Sequence, residues 1–217
     1  MEKLHAKLAS EFYDKIIGLH SREFNCKNIQ YRHWLDILAS KLAKGGAVLD
    51  LGCGNGRAVK YFVDRGFRGV GIDISDKMLE MAKKHVPEGK FFKNEFTEIE
   101  FGPNSFDAVV SFFALNHIPK NQFKKVVIIC RKVLKKDGLL LLGMVKGNDE
   151  GLFSGFYGKK MQLYGAGYAE KELAEILRSG GYEMIKTGTE HFRGKHFEED
   201  DIYMLAKVIK QTKRAKS

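Results

Sequence analysis

Apolar residues return one helical turn apart from the start of the chain, at Leu4, Leu8 and Phe12 and again at Trp34, Leu35, Ile37, Leu38 and Leu42. Residues up to about 43 therefore read as helix, stopped by Gly45-Gly46. Beyond that point two periods alternate. Strands are predicted over AVLDLG, GVGIDIS, GKFFKNEF and FDAVVSFFAL, and helices over RAVKYFVDRG, DKMLEMAKKH and FKKVVIICRKVLKKDG. The last of these helices gathers Phe123, Val126, Val127, Cys130, Val133 and Leu134 on one face. The LLLLGMV run that follows is apolar throughout, as a strand buried on both sides must be. Alternation of strand and helix argues for a parallel sheet covered by helices on both faces.

The pattern changes after residue 145. Residues 146–168, KGNDEGLFSGFYGKKMQLYGAGY, are rich in glycine and aromatic side chains and show no clean period, the composition of a cover over a site. AEKELAEILRSGG then reads as a helix with Leu173, Ile176 and Leu177 inward. YEMIKTGTEHF and DDIYMLAKVIK read as two final strands joined by RGKHFEED, and with no helix between them the pair is most simply antiparallel. The chain is expected to form one domain over residues 1–217: a helical segment (1–43), a central core (44–145), a cover with its helix (146–181) and the strand pair (182–210).

Composition narrows the class. A chain of 217 residues with 44% hydrophobic and 29% charged residues has enough apolar material for a buried core. The N-terminal stretch mixes charge into its apolar residues and no run reaches transmembrane length, so a cytoplasmic protein that does not enter the membrane is expected. Cys26, Cys53 and Cys130 form no close pair and suggest neither a disulfide framework nor a metal site. A net charge of +10 permits an acidic partner such as RNA. The lysines, however, are scattered and concentrate mainly in the terminal KVIKQTKRAKS, which a solvated tail explains.

The chemistry concentrates in VLDLGCGNGR, residues 48–57. A dinucleotide loop needs a small residue where Arg57 stands, and a phosphate loop needs a Lys followed by Ser or Thr, which is missing. Asp50, at the end of its strand, would repel a pyrophosphate but attract an ammonium or sulfonium. Asp73, in the next strand, stands where an acid accepts hydrogen bonds from both ribose hydroxyls. Ribose and a cation without phosphate describe S-adenosylmethionine. The alternative is a plain strand-to-helix turn, with Asp73 capping its helix.

Taken in order, VLDLGCGNG, VGIDIS, NSFDAVVS and RKVLKKDGLLLLG resemble the successive motifs of the class I S-adenosylmethionine-dependent methyltransferases over residues 45–145. The resemblance implies an α/β fold, a Rossmann-like doubly wound sheet of seven strands. Their implied order is 3-2-1-4-5-7-6 with strand 7 antiparallel, N-terminal helices and a lid-like insertion between strands 5 and 6. It further implies S-adenosyl-L-methionine as cofactor and S-adenosyl-L-homocysteine as product. By position, Asp50 with Gly52, Cys53, Gly54 and Gly56 would surround the methionine part, and Asp73 would hold the ribose. Ile74 and Met78 would face the adenine, and Phe112 and Phe113 would pack beside the cofactor. Where the family usually has Gly-Asp-x-x-x-Leu-Pro-Phe this chain has NEFTEIEF, so Glu95 or the Phe96 amide takes the adenine contact and Glu100 replaces the proline.

Methyl transfer from a sulfonium leaves a neutral sulfur, so orientation and exclusion of water supply most of the rate. A base is needed only for an acceptor that arrives protonated. His117, just past the fourth strand in FFALNHIP, is the candidate base, or else a histidine that only packs there. Tyr13, Tyr157, Met161, Tyr164, Tyr168 and His191, with His196 beyond, are candidates for the acceptor pocket, and Asp149 and Glu150 could attract an amine. The signatures of nucleic-acid base methylation are missing: Ser111-Phe112-Phe113-Ala114 stands in place of a Pro-Pro-aromatic motif, and none of Pro87, Pro103 and Pro119 is followed by Cys. The expected activity is methyl transfer to O, N or C of a small molecule, with no metal. An RNA methyltransferase and a non-catalytic S-adenosylmethionine-binding module are the alternatives.

Overall fold

The computed structural model describes residues 3–23, 30–155, 160–193 and 198–209; Cys26, Tyr157 and His196 lie outside them. Helices α1 (Leu4–Glu23) and α2 (Arg32–Ala39) come first. The helical segment expected through residue 43 is thus two helices. Ser40 ends the second by turning its hydroxyl onto the Ile37 carbonyl at 2.8 Å, a bond that competes with helix continuation. There follow β1 (Ala47–Leu51), α3 (Arg57–Val63), β2 (Arg68–Asp73), α4 (Asp76–His85), β3 (Lys90–Lys93) and β4 (Phe106–Phe112). Helix α5 (Lys120–Val133) and β5 (Leu134–Val145) complete the alternating part. The chain closes with β6 (Glu150–Ser154), β7 (Gln162–Ala166), α6 (Glu170–Ser179), β8 (Tyr182–Arg193) and β9 (Glu198–Val208).

Seven strands form one sheet in the order β3-β2-β1-β4-β5-β9-β8. Strands β1 to β5 pair in parallel, and β9 alone runs against its neighbours β5 and β8. This is the order expected from the sequence, with β8 and β9 as the sixth and seventh strands. The remaining pair, β6 and β7, makes a separate antiparallel hairpin inside the segment read as a patternless cover. Its period is hidden because Glu150, Leu152, Phe153 and Ser154 are all exposed, and because Gly165 is bare to admit the ring of Phe153 across the strands.

The apolar run of β5 sends successive side chains to opposite faces. Leu140, Leu142 and Met144 join Ile202 and Met204 under α5 and α6, where Phe123, Val126, Cys130, Leu173 and Leu177 meet them. Leu139 and Leu141 join Tyr203 and Leu205 under α2 and α3, against Trp34, Leu38 and Phe62. Each of these buried side chains contributes about 1.5–3 kcal/mol of transfer free energy, which is why a run with no polar position is tolerated only at the centre of the sheet.

Candidate active site

A cavity of about 460 Å³ lies where the carboxyl ends of β1, β2 and β4 meet the hairpin, with α1 across it. Its first wall is the glycine loop. Gly52 takes φ +71°, and a Cβ there would stand 2.1 Å from that of Ala114, so only glycine fits. The Gly52 and Cys53 amides both donate to the Ile72 carbonyl, at 2.8 and 2.9 Å, tying the loop to the end of β2. The Asp73 carboxylate completes the tie: one oxygen accepts from the Gly54 amide at 2.8 Å and the other from the Ser75 amide at 2.9 Å. Asp73 does not cap α4; the Ser75 hydroxyl does, accepting from the Met78 amide at 3.1 Å. Burial raises the pKa of Asp73, opposed by those amides.

Most of the residues assigned to the cofactor share this wall. Gly52, Cys53, Gly54, Asp73, Ile74 and Met78 line the cavity, as do Glu95, Phe96, Phe112 and Phe113. Two do not. Gly56, φ +85°, turns toward Ala82 of α4 and Val86 just past its end, where its lack of a side chain lets the helix approach. Asp50 is 4% exposed and sits in β1 beneath the loop rather than in the wall. Burial, with the like charge of Asp73 and against the pull of Arg57, raises its pKa to about 8. Cys53 lines the cavity but burial pushes its thiol up, so it is no nucleophile.

The opposite wall is built from parts distant in sequence. Phe113 takes φ +61°, an unfavourable region for a bulky residue, directly after β4. Its amide bonds the Gly143 carbonyl at 2.8 Å. The tight turn Leu115–His117 that follows presents His117 to the cavity. The Nδ1 of His117 lies 2.9 Å from the Tyr164 carbonyl and its Nε2 lies 2.7 Å from the Tyr13 hydroxyl. Since the carbonyl can only accept, Nδ1 carries the proton and Nε2 accepts from Tyr13. Burial lowers the pKa of the ring, partly offset by the Tyr164 carbonyl. Tyr13 comes from α1, which packs Ala9, Phe12 and Ile16 on Leu163 of β7.

The described members of the rest of the acceptor set sit away from the cavity wall. Tyr164 is absent from the wall: its hydroxyl donates to Glu150 at 2.6 Å, and only its carbonyl serves His117. Met161 packs beneath α1 on the Phe12 cluster. Tyr168 is fully buried against Phe123, with the Lys120 ammonium 4.8 Å from its ring, on the core side of the hairpin. His191 is exposed on β8, held between Asp200 and Glu198 at 2.9 Å each, because the alternation of an edge strand turns it outward. Tyr157 lies outside the described residues. Asp149 does line the cavity, whereas Glu150 is occupied by Tyr164 and the Lys120 amide.

Sequence reasoning missed several wall residues. His5, Gln30 and Tyr31 come from the N-terminal segment, and Tyr31 stacks on Phe112 with ring centroids 3.7 Å apart. Arg57 lies in the wall, 6% exposed, with its guanidinium 5.3 Å from the Tyr31 centroid and its Nη2 donating to the Gln30 side-chain Oε1 at 3.4 Å. Its signal was present, a cation directly after the last glycine, but served only to exclude a dinucleotide. Asn116 clamps the hairpin, its amide nitrogen donating to the Ala166 carbonyl at 2.6 Å and its oxygen accepting from the Val145 amide at 3.2 Å. Glu199 reaches the wall from β9, and burial raises its pKa to about 7.

Residues 48–138 match the family model described as a methyltransferase domain. An uncharacterized methyltransferase of Synechocystis is 33% identical over 110 residues, covering 51% of this chain and 52% of that protein, so the match spans about half the length of that relative. The ubiquinone biosynthesis O-methyltransferase of Paracidovorax citrulli is 27% identical over 169 residues, 71% of this chain and 69% of its own. Among solved structures, the Burkholderia thailandensis 1,6-didemethyltoxoflavin-N1-methyltransferase, with 1,6-didemethyltoxoflavin and S-adenosylhomocysteine bound, superposes with a TM-score of 0.75 at 18% identity, over 97% of this chain and 91% of that one. No helix among the described residues is long and apolar enough to cross a membrane. Matched sequence, motif order and sheet order coincide on residues 48–138, and the chain shares the fold of the solved methyltransferases and, over that stretch, the sequence pattern of a methyltransferase domain.

Proposed function

We propose that this protein transfers the methyl group of S-adenosylmethionine to an oxygen, nitrogen or carbon of a small molecule held in this cavity. One observation carries the reading: a single cavity runs from the glycine loop and Asp73 to His117 and the hairpin, with α1 across it. The donor set fits the cofactor. Asp73, Glu95, Asp149 and Glu199 face the cavity against Arg57 and Lys146, an acidic interior in a basic protein, and that favours a cation over a polyanion.

When bound, S-adenosylmethionine supplies an electrophilic methyl group on a positively charged sulfur. Asp73 accepts from the ribose hydroxyls while it keeps the loop closed through Gly54. Ile74 and Met78 bound the adenine, and Glu95 with the Phe96 amide meets its edge. Arg57, beside Gln30, takes the carboxylate end, and Asp50 acts from below as a buried charge. Phe112 and Phe113 exclude water from the methyl group, on the side where Tyr13, backed by His117, meets the acceptor. The N-terminal helix and the cover serve the same cavity, so the described residues act as one domain.

The test exposes small-molecule, RNA and protein fractions of a cell extract to the purified protein and methyl-labelled S-adenosylmethionine. Label in the small-molecule fraction is the expected result. Label confined to RNA would overturn the small-molecule reading and make the outer positive charge the better guide.

A further inference from the structure

The Tyr13 hydroxyl and the His117 ring are joined at 2.7 Å across a gap of 104 residues in sequence, and both face the cavity. The direction of that bond is set from behind. The Tyr164 carbonyl, 2.9 Å from Nδ1, can only accept, so it holds the Nδ1 proton in place and leaves the Nε2 lone pair for the Tyr13 proton. With its proton given to His117, the Tyr13 oxygen acts toward the cavity as an acceptor. A group that meets it there must bring a proton.

We propose that Tyr13 and His117 form a proton relay, and that the methyl acceptor is therefore a neutral O–H or N–H compound that loses its proton during transfer. The proposal rests on the methyltransferase reading above and narrows its substrate class. The acceptor proton passes to the Tyr13 oxygen while the Tyr13 proton passes to Nε2 of His117. The acceptor lone pair forms the bond to the methyl carbon as the carbon–sulfur bond breaks and its electron pair stays on sulfur. One positive charge disappears from sulfur and one appears on the imidazole, so the charge of the closed site does not change. The Tyr164 carbonyl then stabilises the imidazolium through the Nδ1 proton it already holds. Tyr13 touches the acceptor; His117 acts through Tyr13. The surroundings suit a flat, weakly acidic compound, since Phe12, Ala9, Phe153 and Leu163 make the adjoining wall apolar.

Two measurements test the relay. Nitrogen NMR of the histidine rings at pH 7.5 should find His117 as the neutral Nδ1–H form. The Nε2–H form would overturn the proposal, because Nε2 would then donate to Tyr13 and could not take its proton. Second, Tyr13→Phe keeps the packed ring and His117→Asn keeps a donor for the Tyr164 carbonyl, while each removes one member of the relay. Both should bind S-adenosylmethionine within about twofold of wild type, yet label the small-molecule extract about 100-fold more slowly or worse, the range of general-base contributions. The product should be a methyl ether or an N-methyl compound formed from an O–H or N–H. Wild-type labelling rates in the variants, or a product methylated on a thioether, carboxylate or tertiary amine, would overturn the relay and leave the methyltransferase reading standing. A wild-type protein that labels nothing would overturn both.

Discussion

The two halves of the cavity are built in opposite ways. The half proposed for the cofactor is centred on a short continuous stretch, in which the loop after β1, the end of β2 and the start of α4 hold one another through Ile72, Asp73 and Ser75. The acceptor half is assembled from α1, the turn after β4, a hairpin and the first residues of β9, joined by Tyr13, Asn116, His117 and Glu150. Local geometry makes the first half rigid before anything binds. The second half depends on a few long-range polar bonds, so it can change its ligand without disturbing the first.

The largest effect should come from breaking the local half at its tightest point. Gly52→Ala places a Cβ 2.1 Å from that of Ala114 at a φ of +71°. Overpacking and the left-handed backbone together should lower stability by about 3 kcal/mol, read by denaturant unfolding, and cofactor binding should be lost. Adding Ala114→Gly relieves the clash but not the backbone strain, so the double variant should recover about half. Full recovery would mean that the positive φ costs nothing here.

Asp73→Ala comes next. It removes the proposed ribose contacts and the two amide bonds that close the loop, and hydrogen bonds to a charged group are worth about 1.5–3 kcal/mol each. S-adenosylmethionine affinity should fall by about 100-fold or more in calorimetry, with little loss of fold. Undiminished affinity would remove Asp73 from the site.

That contrast also explains what could be read from the chain alone. Each element of the sheet was visible because β1 to β5 and α3 to α5 repeat apolar residues at fixed spacings, and the glycine loop was visible because its chemistry fits in ten residues. Asp50 was placed in the cavity because sequence gives a residue's distance from the loop but not its depth, and β1 is buried on both faces. Tyr168 and His191 were placed there because aromatic and imidazole side chains look alike whether they face a ligand, the core or solvent. Tyr13 was named, yet its bond to His117 spans 104 residues, and no spacing rule covers such a distance. Arg57 and Asn116 carried their signal in the motifs themselves, but polar residues beside a glycine loop or a turn have many uses.

The acceptor half should respond to the loss of one clamp. Asn116→Ala removes the partner of the buried Ala166 carbonyl and of the half-buried Val145 amide. Each orphaned group costs about 1–3 kcal/mol, and the cost falls on docking of the hairpin. Turnover should drop about tenfold or more while S-adenosylmethionine affinity stays within about twofold. Equal loss of both would mean that the halves are mechanically one unit.

The smallest effect lies in the buried Asp50, whose pKa of about 8 arises from burial and from Asp73. Its raised value makes ionisation costly in the empty protein, so its contribution to folding is greatest below the ordinary carboxylate range and declines as pH rises toward 8. A sulfonium in the cavity above reverses that preference by stabilising the ionised form. Binding must then release a proton wherever Asp50 starts protonated, and affinity must rise with pH, levelling off above about 8. S-adenosylhomocysteine has the same amino and carboxylate groups but a neutral sulfur, which cancels every titration the two ligands share. The ratio of the two affinities should therefore favour S-adenosylmethionine by several-fold more at pH 9 than at pH 6, within the limit of tenfold per unit that one proton allows. Asp50→Asn should flatten the ratio. A ratio independent of pH in the wild-type protein would show that the buried carboxylate holds the strand and loop together without sensing the charge above it, and would confine the electrostatics of the cofactor half to the residues in its wall.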